Sequence, residues 1–302
     1  MIKNLILNRN MLLVGAIVLG LFLPQYATML SSYTFWLLAI VMLFSLTGLS
    51  AKSLIPIKSV IKPMLVGIFL NHILFGVILL ALAALFFGYG TPLFIGFVII
   101  AATPPGVAII PFSVKLNGDL NIAIIGTFSA FMASVFLAPI IIETFAGSAG
   151  VNPMELLKVM LLLIVLPFIV SRLLRNEKVL PMVEKSRGNI IDIGFSLIIY
   201  SSIGVNNHVF FSNFDELMVI AVVLLITMFL VSGLLGLFLK GKYDEKIVIS
   251  TRLLYSIKSS GFAVVTAMEL FGGDAAVPAT VMSILVLVYF FSLLIEQKLF
   301  SN

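Results

Sequence analysis

The chain has 302 residues, of which 61% are hydrophobic and 10% charged, and it carries a formal charge of +5 and no cysteine. Soluble domains average about 25% charged residues, so this composition cannot cover a water-facing surface, and a mean hydropathy of +1.23 requires lipid as the solvent. The lack of cysteine excludes a disulfide framework or thiolate metal site, and with two histidines outside any His/Glu cluster no metal or cofactor is expected.

A helix needs about 20 apolar residues to cross the hydrocarbon core. In chain order the apolar runs predict spans at 11–30, 34–50, 63–87, 92–116, 119–146, 154–175, 188–206, 216–239, 245–271 and 275–298. The first follows Lys3 and Arg9 as a signal peptide would, but it continues to Pro24 without a small-x-small cleavage site and reads as a span. With the N-terminus inside, the inner segments collect Lys52, Lys58, Lys62, Lys115, Arg172, Arg175, Lys178, Lys185, Arg187, Lys240, Lys242, Lys246 and Lys298, whereas the outer segments hold only Lys158. Lys and Arg are retained on the cytoplasmic side during insertion, so both termini are expected in the cytoplasm of a multi-pass inner (plasma) membrane protein. The same clustering makes the basic excess an orientation signal rather than a nucleic-acid footprint. Tyr33, Trp36 and Tyr89 fall at predicted outer interfaces, where amphipathic rings are favoured.

The fourth and ninth runs are interrupted. Thr103-Pro104-Pro105-Gly106 sits midway in the fourth, where two prolines remove backbone donors, and Lys258-Ser259-Ser260-Gly261 sits at the corresponding depth of the ninth. Gly106 matches Gly261, Ala108 matches Ala263, Gly118 matches Gly273 and Asp119 matches Asp274, all at an offset of 155. Five spans per copy is an odd number, so the second copy lies upside down. The fold expected is an all-α integral membrane protein of about ten transmembrane helices, one domain over 1–302, with inverted five-helix repeats at about 11–147 and 154–300 and broken, crossing helices 4 and 9. Secondary transporters place their sites at such midplane interruptions.

Charged and polar residues at membrane depth are the candidates for function. An ammonium near the bilayer centre costs several kcal/mol unless partnered, so Lys258 is the first candidate on the substrate and ion pathway. Arg252, about two turns inward, is expected to pair with Asp192 of the seventh span, because buried charges need compensation. Asn71 and His72 share the middle of the third span as helix-packing hydrogen bonders, His72 also as a proton relay. Ser259 and Ser260 precede a half-helix whose free donors and positive dipole end suit a carboxylate. Asp119 and Asp274 read as N-caps, and Glu143, Glu155, Asp215 and Glu216 as solvated outer-end residues.

The order and spacing of these stretches resemble the bile acid:sodium symporter family over nearly the whole chain. The resemblance rests on Gly20-Leu21-Phe22-Leu23-Pro24, Gly48-Leu49, Asn71-His72, Thr103-Pro104-Pro105-Gly106-Val107-Ala108, Gly118-Asp119 to Thr127, and Ser259-Ser260-Gly261. It implies a core domain holding the crossed helices, a panel domain and sodium-coupled uptake of organic anions. The departures fall on the sodium ligands that the resemblance implies. Ile109 and Ile110 stand at a Ser-Asn pair, Ala123 at a serine and Leu254 at a glutamate; Asn71 and Lys258 replace glutamines, and Thr127 is retained. Apolar side chains cannot ligate sodium, so a tethered ammonium at Lys258 is expected to supply or replace the coupling charge.

The expected function is secondary transport of a small organic anion by alternating access, with proton coupling at Lys258 one option. A cation/proton antiporter and an auxin-efflux-carrier-like exporter of organic acids are the alternatives. An intramembrane enzyme would need a nucleophile with its base or a metal cluster, and neither constellation is present, so a non-enzyme is expected.

Overall fold

The computed structural model describes residues 9–48, 57–106, 108–147, 158–159, 161–176 and 179–300, and among them every regular element is helical. The helices are α1 (Arg9–Phe22), α2 (Ala27–Ser31), α3 (Thr34–Thr47), α4 (Ile57–Ile68), α5 (Phe75–Phe86), α6 (Pro92–Ala102), α7 (Ile109–Lys115), α8 (Leu120–Ala146) and α9 (Leu166–Leu173). They continue as α10 (Leu180–Val205), α11 (Asn207–Ser212), α12 (Phe214–Leu225), α13 (Val231–Leu239), α14 (Glu245–Ser256), α15 (Ser260–Phe271) and α16 (Gly273–Phe300). A π-helical turn at Phe69–Leu74 joins α4 to α5, one at Leu161–Val165 leads into α9, and one at Ile226–Leu230 joins α12 to α13.

Five stretches are long and apolar enough to cross a bilayer: Val60–Phe86, Leu120–Ala146, Leu180–Val205, Phe214–Leu239 and Gly273–Gln297. Met11–Phe22 and Pro24–Ser31 make a sixth if counted together, but they meet at 94°. The run expected to span 11–30 therefore turns at Leu23, because Pro24 cannot donate back into the helix. The run expected at 188–206 begins at Leu180 instead, with Pro181 in its first turn and charged residues extending it beyond the apolar stretch. Asp119 caps α8 as expected, accepting from the amides of Asn121 at 2.8 Å and Ile122 at 3.0 Å. Asp274 does not cap: α16 begins one residue earlier, at Gly273, and places Asp274 inside its first turn. Lys3, Leu49, Lys52, Val107, Glu155 and Lys178 lie outside the described residues.

Apolar helices gain little from leaving lipid for one another, so close packing and hydrogen bonds hold such a bundle. α1, α2 and α3 pack on α10 and α3 on α9, forming one group. α8 packs on α4, α6 and α14, and α16 packs on α6, α12 and α15, forming a second. The groups meet where α3 and α10 touch α15 and α16, and where α8 touches the π turn before α9 and Phe128 meets Phe168. α4 and α8 approach backbone to backbone, where a Cβ on Gly67 would lie 2.5 Å from Gly126 Cα. Gly67→Ala is therefore expected to cost about 1–3 kcal/mol through overpacking. Thermal unfolding in detergent checks this against Gly15→Ala, a neutral control with no atom within 4 Å of the added carbon.

Candidate functional site

The site begins with two missing hydrogens. Pro104 and Pro105 have no N–H to offer the carbonyls of Ile100 and Ala101, so α6 ends at Ala102. Ile100 is served by the Thr103 hydroxyl at 2.9 Å, and Ala101 by Lys258 Nζ at 3.1 Å. The second interruption, between α14 and α15, lies directly against the first. Gly106 N donates to Ile257 O and Ser259 N to Pro104 O, each at 3.0 Å, as a short antiparallel bridge between Pro105 and Lys258. Gly106 is required by this approach, since a Cβ would sit 2.9 Å from Ile257 Cγ2 and 3.0 Å from Lys258 O.

Lys258 is 1% exposed. Besides Ala101 O, its Nζ donates to Asn71 Oδ1 at 2.9 Å and Asn71 O at 3.1 Å, matching three acceptors to the three hydrogens of an ammonium. The Phe75 ring centroid lies 5.6 Å from Nζ. The π turn explains why Asn71 O is free to accept: the Phe75 amide bonds Leu70 O, five residues back, and skips Asn71. The Asn71 side chain is used at both ends, because Nδ2 donates to Leu254 O at 3.1 Å and so caps the end of α14. The π turn at Ile226–Leu230 serves the other side of α14, with Met228 O accepting from Ser256 Oγ at 2.8 Å.

His72, 2% exposed, donates from Nε2 to Ala130 O of α8 at 3.0 Å, and its ring also interacts with the backbone at Ala101. The Thr127 hydroxyl is buried without a partner. Leu254 packs against α8, its Cδ1 2.6 Å from where a Cβ of Gly126 would be. Ile109 and Ala123 are fully buried in the apolar core.

A cavity of about 70 Å³ lies at the crossover; Lys258 is in its wall, but Asn71, Ala101 and Phe75, which surround the ammonium, are not. It is lined by Met42 and Ser45 of α3, Asp192 and Phe195 of α10, Ser283 of α16, and the crossover residues Gly106 and Lys258 to Gly261. Ser45 Oγ is buried there without a hydrogen bond. The expected pathway residues thus divide into two sets: Gly106, Lys258, Ser259, Ser260 and Gly261 line the cavity, as does Asp192, while Asn71, His72, Thr103, Pro104, Pro105 and Thr127 are buried outside its wall.

The expected ion pair is corrected. Arg252 binds Glu296 of α16, not Asp192, with Nη1–Oε1 at 2.8 Å and Nη2–Oε2 at 2.9 Å. α16 reaches Arg252 through side chains, Glu296 at the guanidinium and the Tyr289 hydroxyl at Arg252 O, 3.5 Å away, whereas Asp192 belongs to the first group and lines the cavity. Sequence reasoning also missed Ser45 and the Ser232–Tyr289 hydroxyl pair, whose oxygens are 2.5 Å apart. Glu296 was detectable as the lone carboxylate late in the last apolar run; a single serine in α3 carries no such signal.

These features define a multi-pass helical membrane protein with polar groups concentrated at a crossover of interrupted helices. The profile of the SBF-like CPA transporter family matches residues 10–300, and the chain belongs to that family. It is thus a membrane transporter of the bile acid:sodium symporter type. No curated protein matches the chain.

Asn71→Leu keeps the side-chain volume but leaves Leu254 O without its cap and Lys258 with one acceptor fewer. Stranded buried polar groups cost about 1–3 kcal/mol each, so the variant should unfold at a clearly lower temperature than wild type. Thr127→Val, which removes a hydroxyl that has no partner, should not.

Proposed function

We propose that the chain is a secondary transporter of a small organic anion, working by alternating access of ten spans arranged as inverted repeats. The observation that carries this reading is the separation of charge across the crossover. Lys258 is held at carbonyls released by two broken or widened helices, and the cavity lies at the N-terminus of α15, where the hydroxyls of Ser259 and Ser260 offer donors to a carboxylate; the amides of these two residues are already used, on Pro104 O and Lys258 O. The ten crossings are counted by treating α1–α2, α4–α5, α6–α7, α12–α13 and α14–α15 as one span each and leaving out the short α11. Two observations support the repeat: the interruptions are 155 residues apart, and the π turns at Phe69–Leu74 and Ile226–Leu230 keep that offset within two residues. Alternating access follows from movement of the group containing α3 and α10 against the group containing the crossover, with the cavity between them.

Sodium has no evident role in this arrangement. Ile109, Ala123 and Leu254 are packed into apolar surroundings, and Lys258 occupies the oxygens at the crossover. Organic acids that raise the unfolding temperature of the purified protein supply the tracers for uptake into proteoliposomes. Uptake is expected to change by less than about twofold when sodium is replaced by potassium at constant ionic strength; its abolition would refute the reading.

The Asp192 carboxylate on the cavity wall favours a second reading, exchange of a cation against protons. Asp192→Asn separates the two. Organic-anion counterflow should survive the substitution under the first reading, whereas under the second all flux through the site should stop.

A further inference from the structure

We propose that the Ser202–Thr280 hydroxyl pair is a latch that holds the cavity shut toward one face of the membrane, so that these two positioning residues set the balance between the conformations of the cycle. The inference deepens the transport reading, on which only its flux measurement rests.

α10 and α16 pass the cavity in opposite chain directions. Ile191, Asp192 and Phe195 line it from α10, and Ser283, Val286 and Leu287 from α16. About two turns beyond Phe195, and about one turn before Ser283, the hydroxyls of Ser202 and Thr280 bond each other, and both residues are fully buried. A turn farther along α10, Asn206 is 1% exposed, and a Cβ on Gly273 would lie 2.9 Å from its Oδ1. Toward the other end of the cavity, Ile191 and Asp192 are partly exposed. The interface is sealed where α16 begins and looser where α10 begins. The sealed end is the one expected outside from the distribution of Lys and Arg.

Each half of the pair is fixed to its own group. The hydroxyls of Tyr200 and Ser201 donate to Leu23 O at 2.8 Å and Ala27 O at 3.2 Å, and Asn207 Nδ2 donates to Leu21 O at 2.6 Å, which ties the end of α10 to α1 and α2. The start of α16 is tied to α6, where a Cβ on Gly96 would lie 2.9 Å from Pro278 Cδ. Thr280 commits its hydroxyl hydrogen to Ala276 O of its own helix at 2.9 Å, which leaves its oxygen to accept from Ser202. The bond between the groups therefore depends on one hydrogen, that of Ser202. A neutral hydroxyl pair suits a contact that breaks in every cycle, because its net gain is modest and water can replace each partner once the interface opens. The Arg252–Glu296 pair lies within one group and does not have to part.

Ser202→Ala tests this. It removes the crossing bond and strands nothing, because Thr280 keeps its bond to Ala276. The reporter is Ser45→Cys, which puts the only thiol of the chain on the cavity wall at a hydroxyl that has no hydrogen bond to lose. In intact cells, an impermeant methanethiosulfonate should modify this thiol slowly, and adding Ser202→Ala should speed the reaction by about fivefold, the factor one neutral hydrogen bond carries. Thr280→Val should act in the same way, and Thr280→Ser, which keeps the hydroxyl, should restore the slow rate. A bond that only stabilises the fold would lower the unfolding temperature and leave the rate unchanged. That result, equal acceleration by Thr280→Ser, or a reporter already fast without a latch variant would overturn the proposal.

Ser202→Cys with Thr280→Cys converts the pair to two thiols within reach of a disulfide. Oxidation by copper phenanthroline takes two electrons, releases two protons and joins the groups through an S–S bond. Uptake of an organic acid into proteoliposomes should fall to background and return with dithiothreitol; undiminished uptake by the cross-linked protein would refute the latch. The labelling measurement needs no substrate. A latch-dependent rate in a protein that carries no organic anion would leave the latch standing and remove the transport reading instead.

Discussion

In lipid, a backbone carbonyl or amide that leaves a helix has no water to turn to, and the whole site is organised around that constraint. Two prolines at Pro104 and Pro105 strand two carbonyls, the end of α14 strands a third at Leu254, and the π turn releases a fourth at Asn71. Each acquires a named donor: Thr103, Lys258, the amide of Asn71, and Lys258 again. One side chain, Asn71, ties the π turn to both the end of α14 and the lysine. The crossover is thus a closed set of hydrogen bonds rather than a flexible gap, and it holds because its members come from different helices.

Charge follows the same geometry. The ammonium lies where helices end, among carbonyl oxygens, and the cavity lies where α15 begins, among hydroxyls. These are the positions that helix dipoles favour for cations and anions respectively. Farther along α14, Arg252 and Glu296 form a two-point ion pair, with Ser232 3.4 Å from Arg252 Nε. This pair joins α14 to α16 and keeps a second intramembrane cation from drawing on the oxygens at the crossover. Asp192 is not part of that pair and lies on the cavity wall, in α10.

Close approach of backbones makes these bonds reachable. Gly67 and Gly126 bring α4 against α8, which presents Ala130 O to His72, and Gly106 lets the two interrupted chains pair as a two-residue bridge. In a bundle without a hydrophobic drive between helices, small residues at crossings and hydrogen bonds between chains carry the specificity that core packing supplies in water.

Composition and hydropathy by themselves determined a polytopic helical protein solvated by lipid, and Pro104-Pro105 with Ser259-Ser260-Gly261 determined where two helices must break, because a missing amide hydrogen acts locally. The family was legible for the same reason: its motifs are short and sit at those breaks. Pairings between helices were not legible. Arg252 could meet Asp192 or Glu296 by depth alone, and only the tertiary arrangement, which brings Glu296 and Tyr289 of α16 to Arg252, chose Glu296. Asn71 and Lys258 are 187 positions apart, and their bond depends on a π turn that hydropathy does not reveal. The π turns, the side of the crossover on which the ammonium lies and the orphan hydroxyl of Ser45 were decided by tertiary structure, because each depends on which surfaces meet and no residue states that on its own.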